Sequence, residues 1–165
     1  MAQMELKELN KAKNMWPTFR KQFICIIACG LLVTSCMSSK IVLARDVNIS
    51  KYKYVVFGRD TSGDKELEDI IMSVQNRIAE TSLTVLSASN TLKILACSDS
   101  ILTTNIYVSS EKWDGGHTYI TVTFCDYNNG ERVAVVKSSG IGLTIGHDQS
   151  IALSALGDKL NELFN

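Results

Sequence analysis

Residues 58–65, GRDTSGDK, follow the apolar run Tyr54–Phe57 and precede a segment with helical periodicity. A glycine-rich loop between a strand and a helix is where a phosphate-binding loop lies, and this one approximates the pattern G-x-x-x-x-G-K-[ST]. In that pattern a lysine neutralises the terminal phosphates and a hydroxyl group holds magnesium. Here Asp64 and Lys65 occupy those two places, and Asp60 adds another negative charge. The segment therefore predicts a strand-to-helix connection and not a nucleotide site.

Other residues with catalytic or metal-binding chemistry do not form a recognisable constellation. The phrases 62–65, 98–100 and 137–140 loosely match the S-x-x-K, S-D-N and K-T-G motifs of serine penicillin-recognising enzymes, but the chain is too short for that two-part fold. His117 and His147 fall in different predicted loops without H-E-x-x-H or C-x-x-C spacing, so they are expected to be solvated loop residues. The sequence predicts no catalytic residue, no metal site and no cofactor.

The first 35 residues differ from the rest. Arg20 and Lys21 precede a 13-residue apolar run, Phe23–Ser35, which is shorter than the ~20 residues that cross a bilayer as a helix. A basic stretch, a short apolar core and small residues predict a secretory signal peptide over residues 1–35. Since Met15 begins an ordinary basic region, a start at that residue, with residues 1–14 untranslated, stays open.

The end of this leader, Leu32–Cys36 (LVTSC), resembles a bacterial lipobox. In that motif small residues precede a cysteine that is diacylated and becomes the first residue of the mature protein. The resemblance implies attachment to membrane lipid through Cys36. A buried core helix or a true transmembrane anchor is the alternative interpretation.

Charge and cysteine usage exclude one class of partner and leave one question open. The chain has 17 basic and 17 acidic residues, of which the leader holds five and two, so the part from Cys36 onward has a formal net charge of −3. Such a balance lacks the basic footprint of a nucleic-acid-binding protein. Cys97 and Cys125 remain in the folded part, and whether they form a disulfide stays open.

The remaining residues predict a tether and one domain. Residues 36–47 are expected to be the lipidated N-terminus and a tether, and residues 48–165 a single globular domain. Tyr52–Phe57 is rich in β-branched and aromatic residues, as in a strand. Two segments have helical periodicity, with a cap at Asp148 or Ser150 expected for the second. Their apolar positions are Leu67, Ile70, Ile71, Val74 and Ile78 in the first helix, and Ile151, Leu153, Leu156, Leu160, Leu163 and Phe164 in the second.

Four further strands are predicted between the helices. Leu92–Ala96 is an apolar run of strand length, and residues 102–109 and 119–125 alternate apolar and polar side chains. A turn at Asn128–Gly130 leads to a last strand over Arg132–Lys137. The order β-α-β-β-β-β-α predicts an α+β two-layer sandwich, in which a mostly antiparallel sheet has two helices on one face.

Several phrases resemble small envelope lipoproteins of Bacteroidetes type. They are the opening Ile49–Phe57, the phrase Asp99–Leu102 and the hairpin Asp126–Val133. More remotely, the layout is similar to the domains of curli-secretion and penicillin-binding-protein activator lipoproteins. The resemblance covers residues 36–164 and carries no catalytic residues. It implies a lipoprotein on the periplasmic side of the outer membrane. Met37, after the cysteine, is not the aspartate that retains lipoproteins in the inner membrane of enterobacterial-type systems. Ser38–Lys40 lacks the acidic cluster associated with surface export in Bacteroidetes.

Together these observations predict a non-enzymatic, membrane-anchored module that binds an envelope protein or associates with itself. A small cell-wall hydrolase and a purely structural lipoprotein are the alternatives. Tyr107 and Tyr119 lie on the predicted polar strand face, and Trp113 lies in the adjoining hairpin loop. These three aromatic residues are the predicted partner-binding residues, because exposed aromatic side chains commonly anchor partners. The alternative for Trp113 is that it covers the end of the sheet.

Overall fold

A computed structural model describes residues 36–58, 67–87, 89–113 and 116–165. The predicted signal peptide and residues 59–66 of the glycine-rich loop lie outside these ranges. Ser35–Asn165 forms one compact unit. Its strands are β1 (Cys36–Leu43), β2 (Tyr54–Phe57), β3 (Thr84–Val85), β4 (Ile101–Ser110), β5 (His117–Asp126) and β6 (Arg132–Ile141). Its helices are α1 (Glu68–Ala79), α2 (Thr91–Cys97) and α3 (Ile145–Phe164), with short 3-10 turns at Ile49–Lys51 and Ser98–Ser100.

The strands form one sheet in the order β1-β6-β5-β4-β2-β3. The β1–β6, β6–β5 and β5–β4 pairs are antiparallel, whereas β2 runs parallel to both β4 and β3. Gly130, with φ +69°, allows the tight β5–β6 turn that Asn128–Gly130 predicts. The predicted α+β class with a mostly antiparallel sheet is therefore confirmed.

Helices α1 and α3 cover one face of the sheet, as predicted. Helix α1 buries Ile70, Ile71, Val74 and Ile78, the residues that the helical periodicity identifies. They pack with inward-facing strand residues such as Leu102, Val122 and Phe124 in one core. The cap of α3 differs from the prediction: the helix begins at Ile145, and the Thr144 hydroxyl accepts a hydrogen bond from the His147 N–H.

Two segments differ from their predicted structure. Residues 36–43, expected to be part of a tether, form edge strand β1, which pairs with β6 from Cys36↔Ile141 to Leu43↔Ala134. Leu92–Ala96, expected to be a strand, lies within helix α2. Ile94 of α2 packs with Val56 and Ile101 in a second, smaller core. Since neighbouring side chains alternate across a sheet, α2 covers part of the face opposite α1 and α3.

Strand β6 is longer than predicted. The predicted strand ends at Lys137, but pairing with β5 continues through Ile141. Gly140 lies where helix α3 crosses the sheet, and an ideal Cβ there would lie 2.3 Å from the Asp148 carbonyl oxygen. The glycine is therefore needed for close helix–sheet contact and not for a turn.

Candidate functional site

The predicted partner-binding aromatic residues lie on or beside the sheet face that α1 and α3 leave uncovered. Tyr107 of β4 pairs with Thr121, and Tyr119 of β5 pairs with Ser109, so the two tyrosines are diagonal neighbours on one face. Their side chains are 64% and 46% exposed. We call the surface formed by Tyr107, Tyr119 and the polar strand residues between them the open face. The strand alternation in the sequence is sufficient to identify it.

A shallow groove continues the open face toward β1. Its volume is about 310 Å³, and Val42, Thr121, Thr123, Arg132, Val135 and Lys137 line it. The lining combines two cationic side chains, two threonine side chains and two valines. Such a groove offers hydrogen-bond donors and apolar contact area, which suits an extended polypeptide better than a small apolar ligand.

Trp113 and the histidines lie near one end of the sheet. Trp113 is 59% exposed, so much of it is in contact with solvent. His117 is the first residue of β5; its ring stacks on Tyr119 with 5.6 Å between centroids, and its Nδ1 lies 3.4 Å from Glu111 Oε2. His147 lies in the first turn of α3, where its Nδ1 accepts a hydrogen bond from the Leu143 N–H. Both histidines therefore belong to regular elements and not to the loops predicted for them.

A cluster around Asp126 lies at the opposite end of the sheet, and sequence reasoning missed it. The Tyr52 hydroxyl donates a 2.8 Å hydrogen bond to Asp126 Oδ2, and Lys51 Nζ lies 3.3 Å from the same oxygen. Asp126 Oδ1 accepts a hydrogen bond from the Asn128 N–H at 2.9 Å. We call Lys51, Tyr52 and Asp126 the Asp126 cluster. It borders a cavity of about 560 Å³, which Arg45, Asp46 and Arg132 also line.

The surroundings of the Asp126 cluster shift the pKa of each of its three groups away from 7. Burial alone raises the pKa of Asp126, but hydrogen bonds from Tyr52, the Asn128 backbone and Lys51 together hold that pKa below its usual value. Burial also raises the pKa of Tyr52, and the neighbouring Tyr52 and Asp126 side chains raise the pKa of Lys51. A general acid or base needs a pKa near the working pH. All three pKa values shift away from neutrality. At neutral pH, Asp126 and Lys51 therefore stay charged and Tyr52 stays neutral.

The remaining predictions for the site concern the cysteines, a metal site and a membrane span. Cys36 is exposed at the start of β1. Cys97 and Cys125 are free, half-buried thiols. No group of three or more histidine, cysteine, aspartate or glutamate residues within the described ranges could hold a metal ion. None of the helices in this part of the chain has the length and hydropathy of a membrane span.

Comparison with known proteins identifies a shared fold. No protein-family model matches the sequence, and no curated protein matches it. Among solved structures, a substituted form of PelC from Paraburkholderia phytofirmans, a dodecamer, matches with a TM-score of 0.54 at 13% identity, covering 78% of this chain and 98% of PelC. A second crystal form of the PelC dodecamer has a TM-score of 0.48 at 14% identity, with the same coverage.

A PDZ domain protein from Parabacteroides distasonis also has a TM-score of 0.48, at 12% identity, covering 75% of this chain and 35% of that protein. At these identities, the likeness to the first PelC structure shows a remote similarity of fold.

Proposed function

We propose that this chain is a lipid-anchored protein of the bacterial envelope that binds a partner protein, or copies of itself, and catalyses no reaction. The observation that carries the proposal is the place of Cys36. The cysteine that ends the lipobox-like segment is exposed and is the first residue of a paired edge strand. Cleavage before Cys36 would leave the whole register of β1 with β6 in the mature protein, and the thiol would be accessible for acylation.

The Asp126 cluster supports a non-enzymatic role. It combines an acid, a phenol and an amine beside a cavity of about 560 Å³, which is a common arrangement in active sites. However, the Asp126 carboxylate is engaged by three donors, and its lowered pKa makes it a weak base. The raised pKa of Tyr52 makes its hydroxyl a weak acid. These properties suit a structural cluster that holds the β5–β6 turn against the 3-10 turn at Ile49–Lys51.

The open face is the binding surface that we propose. It places two exposed tyrosines beside a groove with polar and apolar lining, and tyrosine is enriched in the centres of protein interfaces. The PelC structure of similar fold is a dodecamer, which supports self-association as one form of this binding. The resemblance to small Bacteroidetes-type lipoproteins supports the outer membrane, on its periplasmic side, as the location.

Replacing Cys36 with alanine tests the anchor. We expect the Cys36→Ala variant to lose palmitate labelling and to leave the outer-membrane fraction, because the acylated side chain would supply most of its membrane affinity. Processing would also stop, so the variant would migrate as the longer precursor on a denaturing gel. Cys97→Ala is the matched control and should label and fractionate like the wild type. Unchanged labelling and processing of the Cys36→Ala variant would refute the proposal.

Replacing the open-face tyrosines tests the binding surface. In-cell crosslinking of the wild type should give discrete adducts, and Tyr107→Ala combined with Tyr119→Ala should reduce their yield about tenfold or more, since interface tyrosines commonly contribute over 1 kcal/mol each. Met72→Ala is the matched control, because Met72 is an exposed apolar residue, 54% accessible, on helix α1, which covers the other face of the sheet. Mass spectrometry of the adducts distinguishes a partner from a second copy. Equal loss of adducts in the control would exclude the open face as the specific surface.

A further inference from the structure

The strand register brings Cys36 and two loops to one end of the sheet. Cys36 pairs with Ile141 of β6, and Ile141 pairs with His117 of β5. Thr118, the next residue of β5, pairs with Ser110 at the end of β4. The β4–β5 loop and the connection from β6 to α3 therefore leave the sheet at the end where Cys36 lies. We call this the Cys36 end.

Large apolar side chains are exposed at the Cys36 end. Met37 is 58% exposed, Trp113 in the β4–β5 loop is 59% exposed, and Leu143 in the connection to α3 is 51% exposed. The three residues come from separate segments of the chain, and the register places these segments beside one another. An exposed group of this kind indicates an interaction surface, because apolar area in contact with water is unfavourable.

Charged side chains lie at both ends of the sheet. At the Cys36 end, the structure describes charged side chains at Glu111, Lys112 and the fully buried Asp148. Asp69, in the first turn of α1, also lies beside Gly146 and Gln149 of α3. Glu111 Oε2 also accepts a hydrogen bond from the His117 N–H at 2.9 Å. The opposite end carries Arg45, Asp46, Lys51, Asp99, Asp126, Glu131 and Arg132. What favours contact of the Cys36 end with an apolar environment is its exposed apolar side chains and not a lack of charge.

The position of Cys36 identifies what covers this surface. Because Cys36 is already paired with Ile141, no free tether separates it from the sheet. An acylated Cys36 would hold Met37 one residue, or about 3.3 Å, from the anchoring point. Trp is favoured at membrane–water interfaces, where its ring contacts acyl chains and its N–H contacts the polar layer.

We propose that the Cys36 end lies against the lipid bilayer, with Trp113 and Leu143 in the interfacial layer beside the acylated Cys36. This inference rests on the proposed lipid anchor and extends it to a second, side-chain contact with the membrane. Two signals give more stable membrane attachment than a short acyl anchor alone. The contact also fixes the orientation of the domain: the Cys36 end of the sheet faces the bilayer, and the end with the Asp126 cluster faces away from it.

Tryptophan fluorescence of the processed, lipid-modified protein tests the inference, because Trp113 is the single tryptophan after residue 35. The protein is placed in phosphatidylethanolamine and phosphatidylglycerol vesicles, with and without bromine on the acyl chains. We expect the emission to shift to shorter wavelength in the vesicles and to be quenched by the brominated lipid. Leu143→Ser should speed transfer of the protein between vesicles about tenfold, because it removes the burial of one leucine. The matched control, Leu95→Ser, should transfer like the wild type, since Leu95 is 70% exposed on α2.

The outcomes separate this inference from the anchor itself. Mass spectrometry of the purified protein first shows whether Cys36 carries lipid, and its absence would refute the proposed anchor. Lipid on Cys36 together with unquenched Trp113 emission would overturn the membrane contact alone. Emission that shifts without quenching by brominated lipid would show that a protein, and not the bilayer, covers Trp113, and would likewise overturn it.

Discussion

Gly140→Ala is expected to lower the free energy of unfolding by about 3 kcal/mol, since it forces extra volume into a closely packed contact. An ideal Cβ at Gly140 would lie 2.3 Å from the Asp148 carbonyl oxygen and 2.7 Å from the Ala152 nitrogen. Both atoms belong to the backbone of α3, so a side-chain rotation cannot relieve the overlap. The helix would have to move away from β6, which would loosen the packing of Leu156 and Leu160 in the main core. Urea unfolding followed by circular dichroism measures the change.

Gly146→Ala provides the matched control in the same helix. Gly146 lies in the first turn of α3, and nothing lies within 4 Å of its ideal Cβ. Alanine there should raise the free energy of unfolding by roughly 0.5–1 kcal/mol, because it restricts the unfolded chain and favours the helix. Opposite signs for the two alanine variants would establish the close approach of α3 to the sheet. A Gly140→Ala variant as stable as the wild type would contradict it.

The parts of the fold that local periodicity determines could be predicted from the sequence. The buried face of α1 follows from apolar residues at helical spacing, and the open face follows from alternation in β4 and β5. Helix α2 was predicted incorrectly because a short apolar run suits either structure. It buries only Ile94 among its residues, and its leucine, lysine and alanine residues favour a helix.

Features that depend on distant residues could not be predicted in the same way. Strand β1 has serines and a lysine at its centre, and its conformation depends on hydrogen bonds to β6, about 100 residues later in the chain. Polar residues and lysine are common on edge strands, where they limit aggregation. The contact of Tyr52 with Asp126 spans 74 residues. The sequence predicts Tyr52 in a strand and Asp126 before a turn, and neither pattern indicates that the two side chains are in contact.

Asp126→Ala is expected to lower the free energy of unfolding by about 2–4 kcal/mol, because it leaves buried donors without an acceptor. The Tyr52 hydroxyl would lose its 2.8 Å hydrogen bond, and the Asn128 N–H would lose its 2.9 Å hydrogen bond. Tyr52→Phe is the matched control. It removes one hydrogen bond but leaves no buried donor unpaired, so it should cost only about 1 kcal/mol.

The pH dependence of stability provides an independent test of the Asp126 cluster. The pKa of Asp126 is lower in the folded protein than its usual value of 3.8, so folding favours the ionised carboxylate. This contribution is fully present above the pKa of the unfolded chain, about 3.9, and is lost as the pH falls through the lower folded pKa. The stability advantage of the wild type over Asp126→Asn should therefore be constant near neutral pH and shrink below about pH 4.

Urea unfolding of wild type and Asp126→Asn at several pH values between neutrality and the acid limit measures this difference. Asparagine keeps the shape and one acceptor oxygen of the side chain but removes the charge and the second acceptor. The loss of the second acceptor does not depend on pH, so the change of the difference with pH reports on the charge. If the hydrogen bonds from Tyr52, Asn128 and Lys51 stabilise the carboxylate as the structure indicates, the two curves converge in acid. Curves that stay parallel from neutral to acid pH would show that the Asp126 charge makes no net contribution to folding.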